Sequence, residues 1–154
     1  MKSKITDILK ASLSVKQQVL EDEHLLQTME AVTKVVVDCF KHDGKVLFCG
    51  NGGSAAQPQH LAAEFSRRLY VDREPLYAEA LHVNTSYLTA VANDYSFDEV
   101  FAKQVRGLGQ AGDVLLAISP SGNSANVIAA ILAARERQMP VIALTGKGGG
   151  RIAT

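Results

Sequence analysis

Apolar positions recur at helical spacing through residues 4–40 and then switch to short continuous runs. Ile5, Ile8, Leu9, Leu13 and Val15 form a rough helical stripe, and Leu25, Leu26, Met29, Val32, Val35, Val36 and Phe40 a clearer one. His42-Asp43-Gly44 closes this region with a C-cap signal. Beyond it, Lys45–Cys49 reads as a short apolar strand and Ser54–Leu69 as an alanine-rich helix. Tyr77–Val83 reads as a second strand, followed by helical turns over Ser86–Ala92 and Phe97–Val105 around an Asn93-Asp94 break. Asp113–Ile118 is a third, wholly apolar strand, Asn123–Arg137 a helix with Val127, Ile128, Ile131 and Leu132 on its apolar face, and Pro140–Leu144 a fourth strand. A glycine-rich turn, Thr145-Gly146-Lys147-Gly148-Gly149-Gly150, comes next.

Apolar strands alternating with helices predict a parallel sheet covered on both faces, a three-layer α/β/α sandwich preceded by N-terminal helices. In such sheets ligands bind beyond the carboxyl ends of the strands. The two turns richest in glycine and serine, 50–54 and 119–124, both lie there and can converge on one crevice. With no linker, repeat or low-complexity tract, one domain over 1–154 is expected, divided into helices (1–43) and an α/β core (44–154). Arg151-Ile152-Ala153-Thr154 follows a strand and a glycine run. Domains of this kind normally continue, so a further C-terminal strand and helix are expected in the intact protein.

Composition narrows the function classes. The chain has 154 residues, 47% hydrophobic and 21% charged, with a formal net charge of zero. That balance suits an ordinary globular protein and gives no basic excess for nucleic acid or an anionic membrane. The charged start, Met1-Lys2-Ser3-Lys4, is not a signal core, and no apolar run reaches spanning length. Cys39 and Cys49 lack metal or redox spacing and are read as reduced, buried cysteines of a cytoplasmic protein.

The candidate chemistry begins at Cys49-Gly50-Asn51-Gly52-Gly53-Ser54, a strand end that opens a helix. A glycine turn there lets backbone N–H groups approach an anion, and the helix dipole adds to the attraction. His60 and Glu64 follow at i and i+4, on one face of the helix. They can move protons or hold a metal, or they are an ordinary surface pair. Their place beside a glycine-rich strand end favours function. Ser119-Pro120-Ser121-Gly122-Asn123-Ser124 offers three hydroxyls at another strand end. Helix capping needs one serine, so three favour a phosphate cup. Neither turn fits a nucleotide fingerprint, and Gly146-Lys147 lacks the rest of a P-loop. Asn93-Asp94 could contact a ligand's hydroxyls or simply break a helix. His82 is expected to be a satisfied core histidine, His24 and His42 to be solvated, and Arg67 and Arg68 to form a solvated or interface patch.

In combination, GNGGSAA..QHLAAEF, ALHVNTSYLTAVANDYSFDEVFAKQV, GDVLLAISPSGNSANVIAAI and VIALTGKGGG resemble the phosphoheptose isomerases of the sugar-isomerase (SIS) fold, over nearly the whole chain. The resemblance implies a flavodoxin-like sandwich and conversion of sedoheptulose 7-phosphate to D-glycero-D-manno-heptose 7-phosphate, towards the heptose of lipopolysaccharide or capsule. It implies a cytoplasmic homotetramer whose N-terminal helices pack between subunits. The sugar phosphate would be held at Asn51, Gly52, Gly53 and the adjoining Ser54, at Asn93 and Asp94, and at Ser119, Pro120, Ser121 and Ser124. His60 and Glu64 match two zinc ligands, with Glu64 also the acid/base group. The remaining ligands, a Gln and a His, are expected on the C-terminal helix this chain lacks.

Two positions depart from the family pattern. Gln57-Pro58 stands where Asp-Ala is usual, removing a carboxylate and placing a proline expected in the first helical turn. Ser119-Pro120-Ser121 replaces Ser-Thr-Ser, removing a hydroxyl and an N–H donor worth roughly 0.5–1.5 kcal/mol each. Those changes keep two alternatives open: a non-catalytic SIS protein, such as those that bind the bacterial replication initiator, and a sugar-phosphate sensor.

Overall fold

The computed structural model describes residues 2–68, 70–146 and 148–154. Leu69, the end of the expected third helix, and Lys147, in the terminal glycine turn, lie outside the described residues, as does Met1. The chain divides into two compact units, residues 1–35 and 36–154.

The first unit contains α1 (Lys2–Glu21) and most of α2 (Glu23–Lys41). The break falls at Asp22, whose Oδ1 accepts from the Leu25 N–H at 2.9 Å and so caps α2. No residue of α1 is buried, and Ile5, Ile8, Leu9 and Leu13 are all more than half exposed.

The larger unit starts with the last turns of α2. They end in a Schellman motif: Gly44 N–H bonds Cys39 O at 2.9 Å, Asp43 N–H bonds Phe40 O at 3.2 Å, and Asp43 takes the left-handed conformation. The expected C-cap is present, but glycine is needed one residue later for a different reason. A Cβ on Gly44 would lie 2.8 Å from Cys39 Sγ.

Four parallel strands follow: β1 (Val46–Gly50), β2 (Ala78–Ala80), β3 (Val114–Ser119) and β4 (Val141–Thr145), ordered β2-β1-β3-β4. β2 is shorter than the Tyr77–Val83 run suggests. Between the strands lie α3 (Gly53–Ser66), α4 (Thr85–Asp94), a single 3₁₀ turn, α5 (Val100–Leu108) and α6 (Ala125–Glu136). Alternate strand residues face opposite layers. Leu47, Cys49, Leu115 and Ala117 pack with Val100, Phe101 and Val105 of α5 and Val127, Ala130 and Ile131 of α6. On the other face Phe48 stacks on Phe65 of α3, which also meets Phe40 of α2. The three-layer α/β/α sandwich is thus present. At the amino edge of the sheet, Lys45 Nζ meets Asp113 Oδ2 at 2.6 Å, both side chains largely buried, while Asp113 also accepts from the Lys45 and Gln110 N–H groups.

The strand order positions the site. From β1 the chain crosses to β2 on one side, then to β3 on the other, so the order reverses between β1 and β3. Gly50 pairs with Ile118, and Ser119 with Thr145, so the turns after β1, β3 and β4 leave the same edge side by side. That edge is the topological switch point where doubly wound sheets bind ligands.

Candidate active site

The turn after β1 is built for close approach. A Cβ on Gly50 would lie 2.3 Å from Ser54 O and 3.0 Å from Ile118 O, so only glycine fits. Gly52, at φ 57° and ψ −122°, caps α3 without a side chain. Ser54 and Ala55 N–H groups bond back to Asn51 O and Gly52 O, each at 2.9 Å. Among the described residues, the exposed Gly52 and Gly53 N–H groups give no backbone hydrogen bond, which leaves them for an anion. Pro58 lies in the second turn of α3, not the first as expected, and is buried. It withholds the N–H that would bond Ser54 O, and that carbonyl instead lies against Gly50.

After β3, Ser119 is 1% exposed and its Oγ lies 3.0 Å from Ser124 Oγ. Ser124 precedes α6 but makes no side-chain cap bond, so capping does not account for its hydroxyl. Ser121 Oγ accepts from Asn123 N–H at 3.2 Å, and Gly122 N–H closes the turn on Ser119 O at 2.9 Å. The terminal segment braces this turn from behind. Gly146 N–H bonds Pro120 O, Ile152 N–H bonds Gly122 O, and Arg151 N–H bonds Asn123 Oδ1, at 2.9, 3.0 and 3.1 Å.

On α3, His60 Nε2 stands 3.8 Å from Glu64 Oε1. The His60 side chain is 75% exposed and that of Glu64 only 14%. Glu64 Oε1 also takes a charged hydrogen bond from Arg67 Nη2, whose side chain is otherwise exposed as expected. Glu64 Oε2 is buried with no partner. A cavity of about 600 Å³ is lined by His60, Leu61, Glu64, Phe65, Arg67 and Arg73. A second, of about 520 Å³, is lined by Ala56, Gln57, His60, Leu61, Ile118 and Leu144. His60 borders both, and Ile118 directly precedes Ser119, which brings the α3 pair towards the serine turn.

Asn93 and Asp94 are not drawn in by any contact. They end α4, both exposed, and hydrogen-bond each other at 2.9 Å. His82 is not the satisfied histidine expected: its Nδ1 is buried without a partner, and burial pulls its pKa down. Burial pushes the Cys49 thiol up to about 12 and raises that of Cys39, with the nearby Asp113 charge adding to the latter, so both behave as inert core residues.

One residue escaped the sequence reading. Asn126, 2% exposed, exchanges two hydrogen bonds with Asn51, at 2.8 and 2.9 Å. A lone amide among Val127, Ile128 and Ile131 was its signal, because a buried amide requires a partner.

A glycine turn and a serine turn stand side by side at the switch point of a parallel α/β sheet, and the chain belongs to the SIS domain family, whose model matches residues 9–146. Within that family it belongs with the phosphoheptose isomerases. It is 54% identical over 142 residues to phosphoheptose isomerase of Neisseria gonorrhoeae strain NCCP11945, covering 92% of this chain and 71% of that protein. It is 60% identical over 128 residues to the one from Azoarcus sp. strain BH72, covering 83% of this chain and 63% of that protein. The solved phosphoheptose isomerase GmhA from N. gonorrhoeae superposes with a TM-score of 0.89 at 49% identity, over 99% of this chain and 78% of that one. That from Francisella tularensis gives 0.92 at 38% identity, over 98% and 78%.

Proposed function

We propose that this chain is an aldose–ketose isomerase that converts sedoheptulose 7-phosphate to D-glycero-D-manno-heptose 7-phosphate. The observation that carries the reading is Glu64, largely buried with one free carboxylate oxygen, on the helix that the glycine turn opens at the sheet's switch point. The Gly52 and Gly53 N–H groups and the Ser119, Ser121 and Ser124 hydroxyls grip the phosphate, with Asn51 and Ser54 completing the first turn. Pro120 leaves its carbonyl to Gly146 and adds no donor. That grip, remote from the reacting carbons, orients the sugar. Asn93 and Asp94 meet its hydroxyls.

In the reaction Glu64 takes a proton from C1 of the ketose, exchanges it with solvent while the enediolate is held, and delivers a proton to C2, a step to which a positioned base contributes about 10²–10⁴-fold. His60 Nε2, on the same helix face, exchanges the proton between the two oxygens. Two donors on one face, one with an orphan oxygen, also fit half of a zinc site. Tetrahedral zinc needs further ligands, and the described residues hold no group of three or more His, Cys, Asp or Glu. His60 and Glu64 would hold the ion, which when bound polarises the substrate carbonyl.

A homotetramer is supported by the exposed Ile5, Ile8, Leu9 and Leu13 stripe of α1, an apolar face of the kind that marks an interface. No helix of the described residues is long and apolar enough to cross a membrane. A cytoplasmic enzyme feeding heptose to lipopolysaccharide or capsule is the setting we propose. The test is aldose formation from sedoheptulose 7-phosphate, with and without zinc. Turnover supports the reading. Tight binding of the sugar phosphate with no turnover replaces it with the non-catalytic SIS protein, for which Gln57 and Pro120 would then account.

A further inference from the structure

Asn51 and Asn126 stand 75 residues apart in sequence, yet each side-chain amide donates to the other, at 2.8 and 2.9 Å. Asn51 belongs to the turn after β1. Asn126 lies in the first turn of α6, two residues after Ser124, and is 2% exposed. No other side-chain hydrogen bond engages either amide among the described residues. The reciprocal pair therefore straps the glycine turn to the serine turn, across the crevice between β1 and β3. It also commits the Asn51 side chain: a group pointing to Asn126 is not free to meet a sugar.

We propose that Asn126 is a positioning residue for the sugar phosphate, and that the Asn51 side chain acts through Asn126 while the Gly52 and Gly53 N–H groups meet the phosphate. The inference rests on the sugar-phosphate reading of this site. A slip of a few tenths of an ångström between the turns would pull the N–H donors and the serine hydroxyls out of register around a single phosphate.

The experiment compares the full chain with Asn51→Ala, Asn126→Ala and the double variant, reading KM and kcat for sedoheptulose 7-phosphate and inorganic phosphate binding. Circular dichroism checks folding, and Asn126→Ser, which keeps a polar group in place, substitutes if Asn126→Ala does not fold. Each single variant should raise KM roughly tenfold, the equivalent of the strap's net hydrogen bonding, with kcat little changed. The double should be no worse than the weaker single, because both remove one interaction. A KM within about twofold of the unsubstituted chain, additive losses, or a fall in kcat at constant KM would each overturn the proposal. A loss of stability alone would leave KM unmoved and also overturn it. If the chain binds phosphate but does not isomerise, the isomerase reading fails, and weaker phosphate binding in the variants still sustains the strap. If it binds no phosphate at all, both readings fall.

Discussion

Replacing Gly122 by alanine separates two costs that the serine turn combines. Gly122 sits at φ 65°, and a Cβ there would lie 1.8 Å from the Gly149 carbonyl oxygen. The left-handed conformation costs a non-glycine residue roughly 1–2 kcal/mol. The overlap is with backbone, so no rotamer relieves it, and the segment after β4 must lift. Lifting it breaks the Ile152–Gly122 bond at 3.0 Å and the Arg151–Asn123 bond at 3.1 Å, each worth roughly 0.5–1.5 kcal/mol. Together these put the loss at about 2–5 kcal/mol. Gly112 is the control: at φ 92° with nothing within 4 Å of its would-be Cβ, its alanine variant meets only the conformational cost, about 1–2 kcal/mol. Chemical denaturation of both variants measures the difference, and hydrogen exchange over residues 148–153 locates it. Gly122→Ala should also weaken sugar-phosphate binding, whereas Gly112→Ala should not. Equal destabilisation by the two, or Gly122→Ala with unchanged exchange at the terminal segment, would refute the account of the brace.

Three further outcomes are expected. Asp113→Ala leaves Lys45 buried and uncompensated and should cost about 3–5 kcal/mol in denaturant unfolding; a loss under about 1 kcal/mol would remove the pair from the fold's supports. Because burial lowers the His82 pKa, the folded protein resists protonation there. Its contribution is therefore present above pH 6.5 and is lost as pH falls through the lowered value, so His82→Gln should flatten thermal stability over that acid window. Cys49, pushed up to about 12, should resist a thiol reagent at pH 8 until the protein unfolds, and rapid labelling of the native chain would contradict its burial.

Periodicity revealed the sandwich because its strands are buried on both faces and read as unbroken apolar runs such as Val114–Ile118. It overstated β2, where Tyr77 and Val83 are apolar but exposed and lie outside the strand Ala78–Ala80. The break between α1 and α2 was obscured because both flanks are helical, and only the Asp22 cap marks it. The glycine and serine turns were legible because chemistry and conformation coincide in short segments. The ties that hold these turns were not: Asn51 with Asn126, and Gly122 with Ile152, join residues distant in sequence that the strand order brings together. The Arg67–Glu64 contact was not foreseen either, although one helical turn places Glu64 within reach of that exposed side chain.

The central claim, that Glu64 moves a proton between neighbouring carbons of a bound sugar phosphate, is tested most directly in deuterium oxide. The chain and its Glu64→Gln variant would be incubated with sedoheptulose 7-phosphate, and deuterium at C2 of the aldose followed by nuclear magnetic resonance. The account predicts deuterium incorporation by the unsubstituted chain and a loss of about 10²-fold or more in the variant, with sugar-phosphate binding retained. Isomerisation that proceeds equally well in Glu64→Gln would contradict it.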